Sequence, residues 1–173
     1  GGARGGPAKV AVIGSALVGS VTAGPVTNMV MTGAMTIPMM KRAGYQPHYA
    51  AAVEAAASTG AAIVPPIMTG IVFIMAELTG LSYVRIMLLA IIPAVLYYMC
   101  ILLQVHLQAL KTGMRGSGRG RDMAQVKREL AARGHLLAPV VVLVGLLIDG
   151  VYPASAVLWA MPVVPLAAAL RRE

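Results

Sequence analysis

Two interruptions in an otherwise apolar chain carry the side chains that could do chemistry. The first, GSVTAGPVTN (Gly19–Asn28), offers the oxygens of Thr22, Thr27 and Asn28 around Gly24 and Pro25. The second, VEAAASTGAAIVPP (Val53–Pro66), offers Glu54, Ser58 and Thr59 ahead of Gly60, Pro65 and Pro66. A cation leaving water needs fixed oxygens in place of its hydration shell. Hydroxyls and unwound backbone carbonyls supply them, and half-helix ends add dipole charge of the right sign. Inside a bilayer, irregular backbone is tolerated only where protein buries it or where it lines a cavity. Thr22, Gly24, Asn28, Ser58, Thr59 and Gly60 are therefore the candidate cation-binding positions. Glu54, Pro65 and Pro66 are candidates for substrate binding or for breaking a helix. A single Ser or Thr in a membrane usually bonds its own helix or a neighbour; clustering at two breaks favours the functional reading.

Glu54 lies one helical turn before Ser58, so the two share a face. An ionisable group in a membrane segment is expensive and points to function. It also lies close enough to the loop before it to pair with Lys41, Arg42 or His48. That ion pair is the favoured expectation, with a substrate or proton role as the alternative; Glu77 reads as interfacial. His48, His106 and His135 lack metal-ligand spacing, and the lone Cys100 permits no disulfide within the chain. Met29, Met31, Met35, Met39 and Met40 suggest adaptable packing on a moving surface. No G-x-S-x-G, H-E-x-x-H or phosphate-loop string occurs. An intramembrane enzyme using Ser58 or Glu54, and a non-transporting scaffold or remnant, stay as alternatives.

The elements that position these residues belong to a membrane protein. Of 173 residues, 58% are hydrophobic and 12% charged, against about 25% charged in soluble domains, and mean hydropathy is +0.79. The formal charge of +8 has no aromatic-interleaved basic patch in residues 43–84 to bind nucleic acid. It serves topology instead, since cytoplasmic loops collect Lys and Arg.

No charge occurs between Lys9 and Lys41, a run of 31 residues, whereas a spanning helix needs about 20. Basic residues flank both ends, and Gly and Pro stand in the middle. This predicts a re-entrant helical hairpin with arms near 9–21 and 26–40, a kinked spanning helix being the alternative. Residues 41–48 form an inner turn. Residues 49–79 form a broken helix crossing outward, unwound between Ser58 and Pro66, with its break facing the tip near Thr22–Asn28. Residues 81–110 return, with Pro93 a kink. The segment 111–134 is a basic cytoplasmic loop, in which Asp122–Ala132 could form an amphipathic helix on anionic headgroups. Crossings at 136–148 and 152–170 flank an outer turn at Asp149-Gly150. This arrangement places 13 of the 14 Lys and Arg residues inside and only Arg85 outside.

The expected fold is thus an all-α polytopic membrane protein: re-entrant hairpin, broken transmembrane helix, then further spanning helices. Residues 1–80 form a transport-domain half, 81–110 one transmembrane helix, 111–134 the loop and 135–173 two more helices. The start GGARGGPAKV has neither Met nor a signal-peptide pattern, so the chain reads as a piece of something longer.

TIPMMKRAGY (Thr36–Tyr45) followed by AAVEAAASTGAAIVPPIMTGIVFIMAE (Ala51–Glu77) resembles the large membrane subunit of the tripartite ATP-independent periplasmic (TRAP) transporters. It is most similar to the fused permeases that work with TAXI-type receptors. The resemblance covers residues 6–110 well and 135–170 loosely. It implies secondary uptake of an organic solute, commonly an organic acid, coupled to sodium and driven by an elevator-like movement in a bacterial inner membrane. The implied partners are a periplasmic solute-binding receptor, a small membrane subunit, membrane lipid and a second inverted repeat of the permease. No cofactor beyond the coupling sodium ion is implied. By position, a hairpin tip that usually reads S-G-S-A-V-A-N/D corresponds to Thr22–Asn28, with departures at Ala23, Gly24 and Pro25. Thr22 and backbone carbonyls are the substitutes for the lost serine hydroxyl. The second tip corresponds to Ser58-Thr59-Gly60 and Pro65-Pro66.

Overall fold

A proline opens each of the first three helices, where its missing N–H loses no bond and its fixed φ suits the first turn. These are α1 (Gly6–Thr22), α2 (Pro25–Arg42) and α3 (Pro47–Thr59). The computed structural model describes residues 5–113, 138–151 and 153–163. After α3 the chain tightens into a 3₁₀ turn (Gly60–Ala62), loses helical form through Pro65-Pro66, and resumes as α4 (Ile71–Thr79). Next comes α5 (Tyr83–Lys111), then α6 (Ala138–Ile148) and α7 (Pro153–Ala160). The chain divides into two units, residues 1–81 with 85–120, and residues 82–84 with 121–173.

In the first unit, α1 and α2 fold back on each other across a two-residue break. Ala23 there takes a left-handed conformation at φ 54, and Gly24 is extended. The start of α1 (Ala8, Ala11, Val12) and the end of α2 (Met40) meet in one buried cluster with Tyr45, Ala50, Val53 and Ala57. Ile101 and Val105 of α5 complete it. Without a hydrophobic drive between helices in lipid, close van der Waals packing must hold them, and small residues allow it. Alanine supplies four of the ten residues of the cluster for that reason. Tyr45 stacks on Tyr49 with ring centroids 5.7 Å apart. Burial, and next the neighbouring Tyr49, push the Tyr45 hydroxyl pKa above its ordinary value. Lys9 Nζ donates to His106 Nδ1 at 3.0 Å, tying the start of α1 to α5.

Large apolar side chains cover the outside. Val10, Ile13 and Leu17 on α1, Val26, Val30 and Met35 on α2, and Leu88, Leu96 and Leu103 on α5 are all exposed. Only α5, with 29 residues, is long and apolar enough by itself to cross a membrane among the described residues. At 1.5 Å per residue it would rise roughly 43 Å, more than a hydrocarbon core of about 30 Å.

The hairpin arms run longer than the expected 9–21 and 26–40, because Pro7 and Pro25 start helices and Lys41-Arg42 suit the last turn of α2. α-Helical form is lost from Gly60 to Gly70, later than the expected Ser58–Pro66, since Ser58 and Thr59 still belong to α3. Pro93 lies inside a continuous α5. In the second unit, α6 ends at a turn in which Gly150 has φ 78 and Val151 N donates to the Leu146 carbonyl at 3.0 Å. The amphipathic stretch Asp122–Ala132 and residues 164–170 of the last expected crossing lie outside the described residues.

Candidate cation site

Polar residues in α1, α2 and α3 stand at helical spacing and meet inside the first unit. On α2, Asn28, Thr32 and Thr36 recur every four residues; on α3, Glu54 and Ser58 do; α1 contributes Ser15. A spacing of four returns a side chain to the same helical face, so two polar stripes and Ser15 line one junction. Ser15, Asn28 and Glu54 are fully buried, and Ser58 is 1% exposed.

Glu54 sits at the centre. Its Oε1 accepts from Thr32 Oγ1 and, at 3.1 Å, from Ser58 Oγ. Its Oε2 accepts from Thr36 Oγ1 at 2.5 Å. The expected ion pair with Lys41, Arg42 or His48 is not formed: hydroxyls surround the carboxyl, and those three residues are exposed. Closeness along the chain does not decide which face packs. Glu54 points with Ser58 at α2, while Lys41 and Arg42 stand in the last turn of α2 and His48 in the first turn of α3.

Asn28 is held from the other side. Its Nδ2 donates to the Ser15 carbonyl at 3.0 Å and to Ser15 Oγ at 2.9 Å. Ser15 Oγ lies 3.2 Å from Ser58 Oγ, so the bonds run without a gap from Asn28 to Glu54. Among the described residues, the buried Asn28 Oδ1 has no partner, and neither has the buried Thr22 Oγ1 at the end of α1. Buried polar atoms are nearly always bonded, and an orphan asks for an explanation. Here two orphan oxygens flank the Ala23-Gly24 break.

The two breaks lie against each other. Ile67 N donates to the Ser20 carbonyl at 3.2 Å, joining the unwound segment to α1. A Cβ on Gly19 would sit 2.8 Å from Ala61 Cβ and 3.2 Å from Asn28 Nδ2, so only glycine permits this approach. Gly60 is buried, and a Cβ there would lie 2.6 Å from the Tyr98 ring. That close passage lets Tyr98 donate to the Ala57 carbonyl at 2.7 Å, while Tyr97 donates to the Ala56 carbonyl at 2.8 Å. The last carbonyls of a helix lack intrahelical donors, and α5 supplies them from its side chains.

The predicted positions thus separate. Thr22, Gly24, Asn28, Ser58 and Gly60 lie at or beside the junction. Thr59 does not: it is exposed, and its Oγ1 donates to its own helix at the Ala55 carbonyl, 2.8 Å away. Thr27 is exposed as well. Pro65 and Pro66, half-buried and joined by a cis bond, belong to the unwound segment. Sequence reasoning missed Ser15, Thr32, Thr36 and the two tyrosines. The spacing 28, 32, 36 was the available signal for the threonines. Met29, Met31 and Met35 are exposed, whereas Met40 is fully buried in the core.

Residues 1–171 match the family described as tripartite ATP-independent periplasmic transporter, DctM component. The chain belongs to this family. DctM proteins are membrane permease components of transporters, not enzymes, so Ser58 and Glu54 are not the centre of an intramembrane hydrolase. A Haemophilus influenzae protein carrying the provisional name TRAP transporter large permease protein is 32% identical over 111 residues, covering 64% of this chain and 26% of its own length. The uncharacterized protein y4mL of Sinorhizobium fredii is 30% identical over 93 residues, 54% of this chain and 22% of that protein. The chain spans about a quarter of the length of these curated relatives. No solved structure matches it.

Proposed function

We propose that this chain forms half of the transport domain of a multi-pass permease in a bacterial inner membrane, and that its two breaks hold a coupling sodium ion. The observation that carries the proposal is the pair of orphan buried oxygens, Asn28 Oδ1 and Thr22 Oγ1, beside the Ala23-Gly24 break. Neutral amide and hydroxyl oxygens with nearby unwound carbonyls suit a monovalent cation that must bind and leave. The ligands are these two oxygens and carbonyls of the breaks. Ser58 serves the site through its bonds, and Thr59 takes no part. Ala23 and the extended Gly24 form the tip, and Gly60, Pro65 and Pro66 open the second break.

The α1–α2 pair acts as a re-entrant hairpin with both ends cytoplasmic, supported by Lys9, Lys41 and Arg42 at its ends and by the apolar outer faces of both arms. The complete permease, with a second repeat and a small membrane subunit, imports an organic acid delivered by a TAXI-type periplasmic receptor. The transport domain moves as an elevator, with the exposed methionines of α2 on its adaptable surface. These finer assignments rest on the resemblance of the TIPMMKRAGY and EAAASTGAAIVPP strings.

Uptake by the full-length permease in proteoliposomes, with its receptor and at fixed membrane potential, tests the reading. Uptake should rise with external sodium and stay at background when potassium replaces it. Uptake that ignores sodium and follows a proton gradient overturns the sodium assignment.

A further inference from the structure

The hydrogen bonds between Asn28 and Glu54 have one direction, and donor counting fixes it. The Ser15 carbonyl can only accept, so the Asn28 atom 3.0 Å from it is the amide nitrogen. The second proton of that nitrogen points at Ser15 Oγ, 2.9 Å away. Ser58 has one proton, and it goes to Glu54 Oε1 at 3.1 Å. The bond between the two serines, 3.2 Å long, must then be donated by Ser15. The sequence of donors is Asn28, Ser15, Ser58, and the final acceptor is the Glu54 carboxyl. Both amide protons of Asn28 are spent on Ser15, and Oδ1 is the atom left without a partner.

We propose that Glu54 is a positioning residue of the cation site: through Ser58 and Ser15 it sets the amide orientation of Asn28 so that Oδ1 faces the ion, which Glu54 itself never touches. Rotating the amide by half a turn would set Oδ1 against the Ser15 carbonyl, two acceptors face to face. With the carboxyl in place that arrangement has no compensation, because the Ser15 proton is already directed at Ser58. Without the carboxyl, the Ser58 proton can turn to Ser15 or back to its own helix. The Ser15 proton then becomes available to a rotated Oδ1, and the site loses its fixed oxygen. Thr32 and Thr36 hold the carboxyl from α2, within hydrogen-bond distance of Oε1 and Oε2 respectively. This inference rests on the sodium reading above and adds to it which group orders the site.

A double-mutant cycle in the full-length permease tests it, with sodium at half-maximal uptake and maximal rate read separately. Ser58→Ala should raise the sodium requirement by about tenfold, with a smaller effect on maximal rate, the size of one buried hydrogen bond. Asn28→Ala should raise it at least as much. The double variant should match Asn28→Ala alone, because Ser58 acts only through Asn28. Ser58→Thr, which keeps the hydroxyl, should recover most of the affinity. Glu54→Gln, which keeps an acceptor for Ser58, should raise the requirement less than Glu54→Met. Additive effects of Ser58→Ala and Asn28→Ala would make Ser58 an ion ligand itself and overturn the relay. An unchanged sodium requirement in Ser58→Ala, with only the rate reduced, would also overturn it. Wild-type uptake without any sodium dependence overturns the coupling assignment and the relay together, whereas the other two failures leave the coupling standing.

Discussion

At the scale of the residue, Glu54 shows how a carboxyl can be buried without a cation. Thr32, Thr36 and Ser58 give it hydroxyl protons, and each of those hydroxyls has a second acceptor in reach. Thr32 Oγ1 lies 2.8 Å from the Asn28 carbonyl, Thr36 Oγ1 3.0 Å from the Thr32 carbonyl, and Ser58 Oγ 3.2 Å from Ser15 Oγ. Replacing the carboxyl by an apolar group of similar volume therefore strands no donor, and it removes the desolvation cost of a buried ionisable group. Glu54→Met should change unfolding free energy by less than about 3 kcal/mol, the cost of one stranded buried group. Thermal melting of the purified full-length permease measures this; a collapse of folding would make Glu54 a structural keystone. Such a small effect on stability would leave ion handling as the reason for placing a carboxyl there.

At the scale of the element, the site depends on how closely α1 approaches the broken helix. Gly19→Ala would bring a methyl to 2.8 Å from Ala61 Cβ, and overpacking of that kind costs about 1–3 kcal/mol. The compensating double change Gly19→Ala, Ala61→Gly should recover most of that loss, which paired melting curves would show. No recovery would mean that the contact between α1 and the 3₁₀ turn does not govern the packing. Both breaks could be read from composition, because Gly and Pro interrupt helices through backbone physics alone. Ser58 and Asn28 could be found beside them. Thr59 could not be separated from Ser58 in sequence, since a step of one residue turns a side chain about 100° to another face. Glu54 was expected to meet Lys41, Arg42 or His48 because they are near in the chain. The facing hydroxyls of α2 come into view only when the direction of the α1–α2 fold is known. The tyrosines of α5 lie still further from prediction, since their bonds join residues 41 apart.

At the scale of the whole molecule, charge and apolar surface divide the work. The helices expose Leu, Val, Ile and Met on their outer faces, suited to lipid or to other parts of a permease, while Ser15, Asn28, Thr32, Glu54 and Ser58 turn inward. Basic residues stand at the ends of the α1–α2 hairpin and leave its length uncharged. A polar interior inside an apolar exterior suits the cation site proposed above, and the central claim of that proposal is that Asn28 and Thr22 hold the ion. Thermal unfolding of the purified full-length permease in sodium against potassium, at equal ionic strength, tests that claim most directly. A ligand that binds only the folded state at 100 times its dissociation constant adds about 2.7 kcal/mol of stability. The wild type should melt higher in sodium, and Asn28→Ala and Thr22→Val should each lose most of that difference. A sodium-specific shift that survives in both variants would contradict the account.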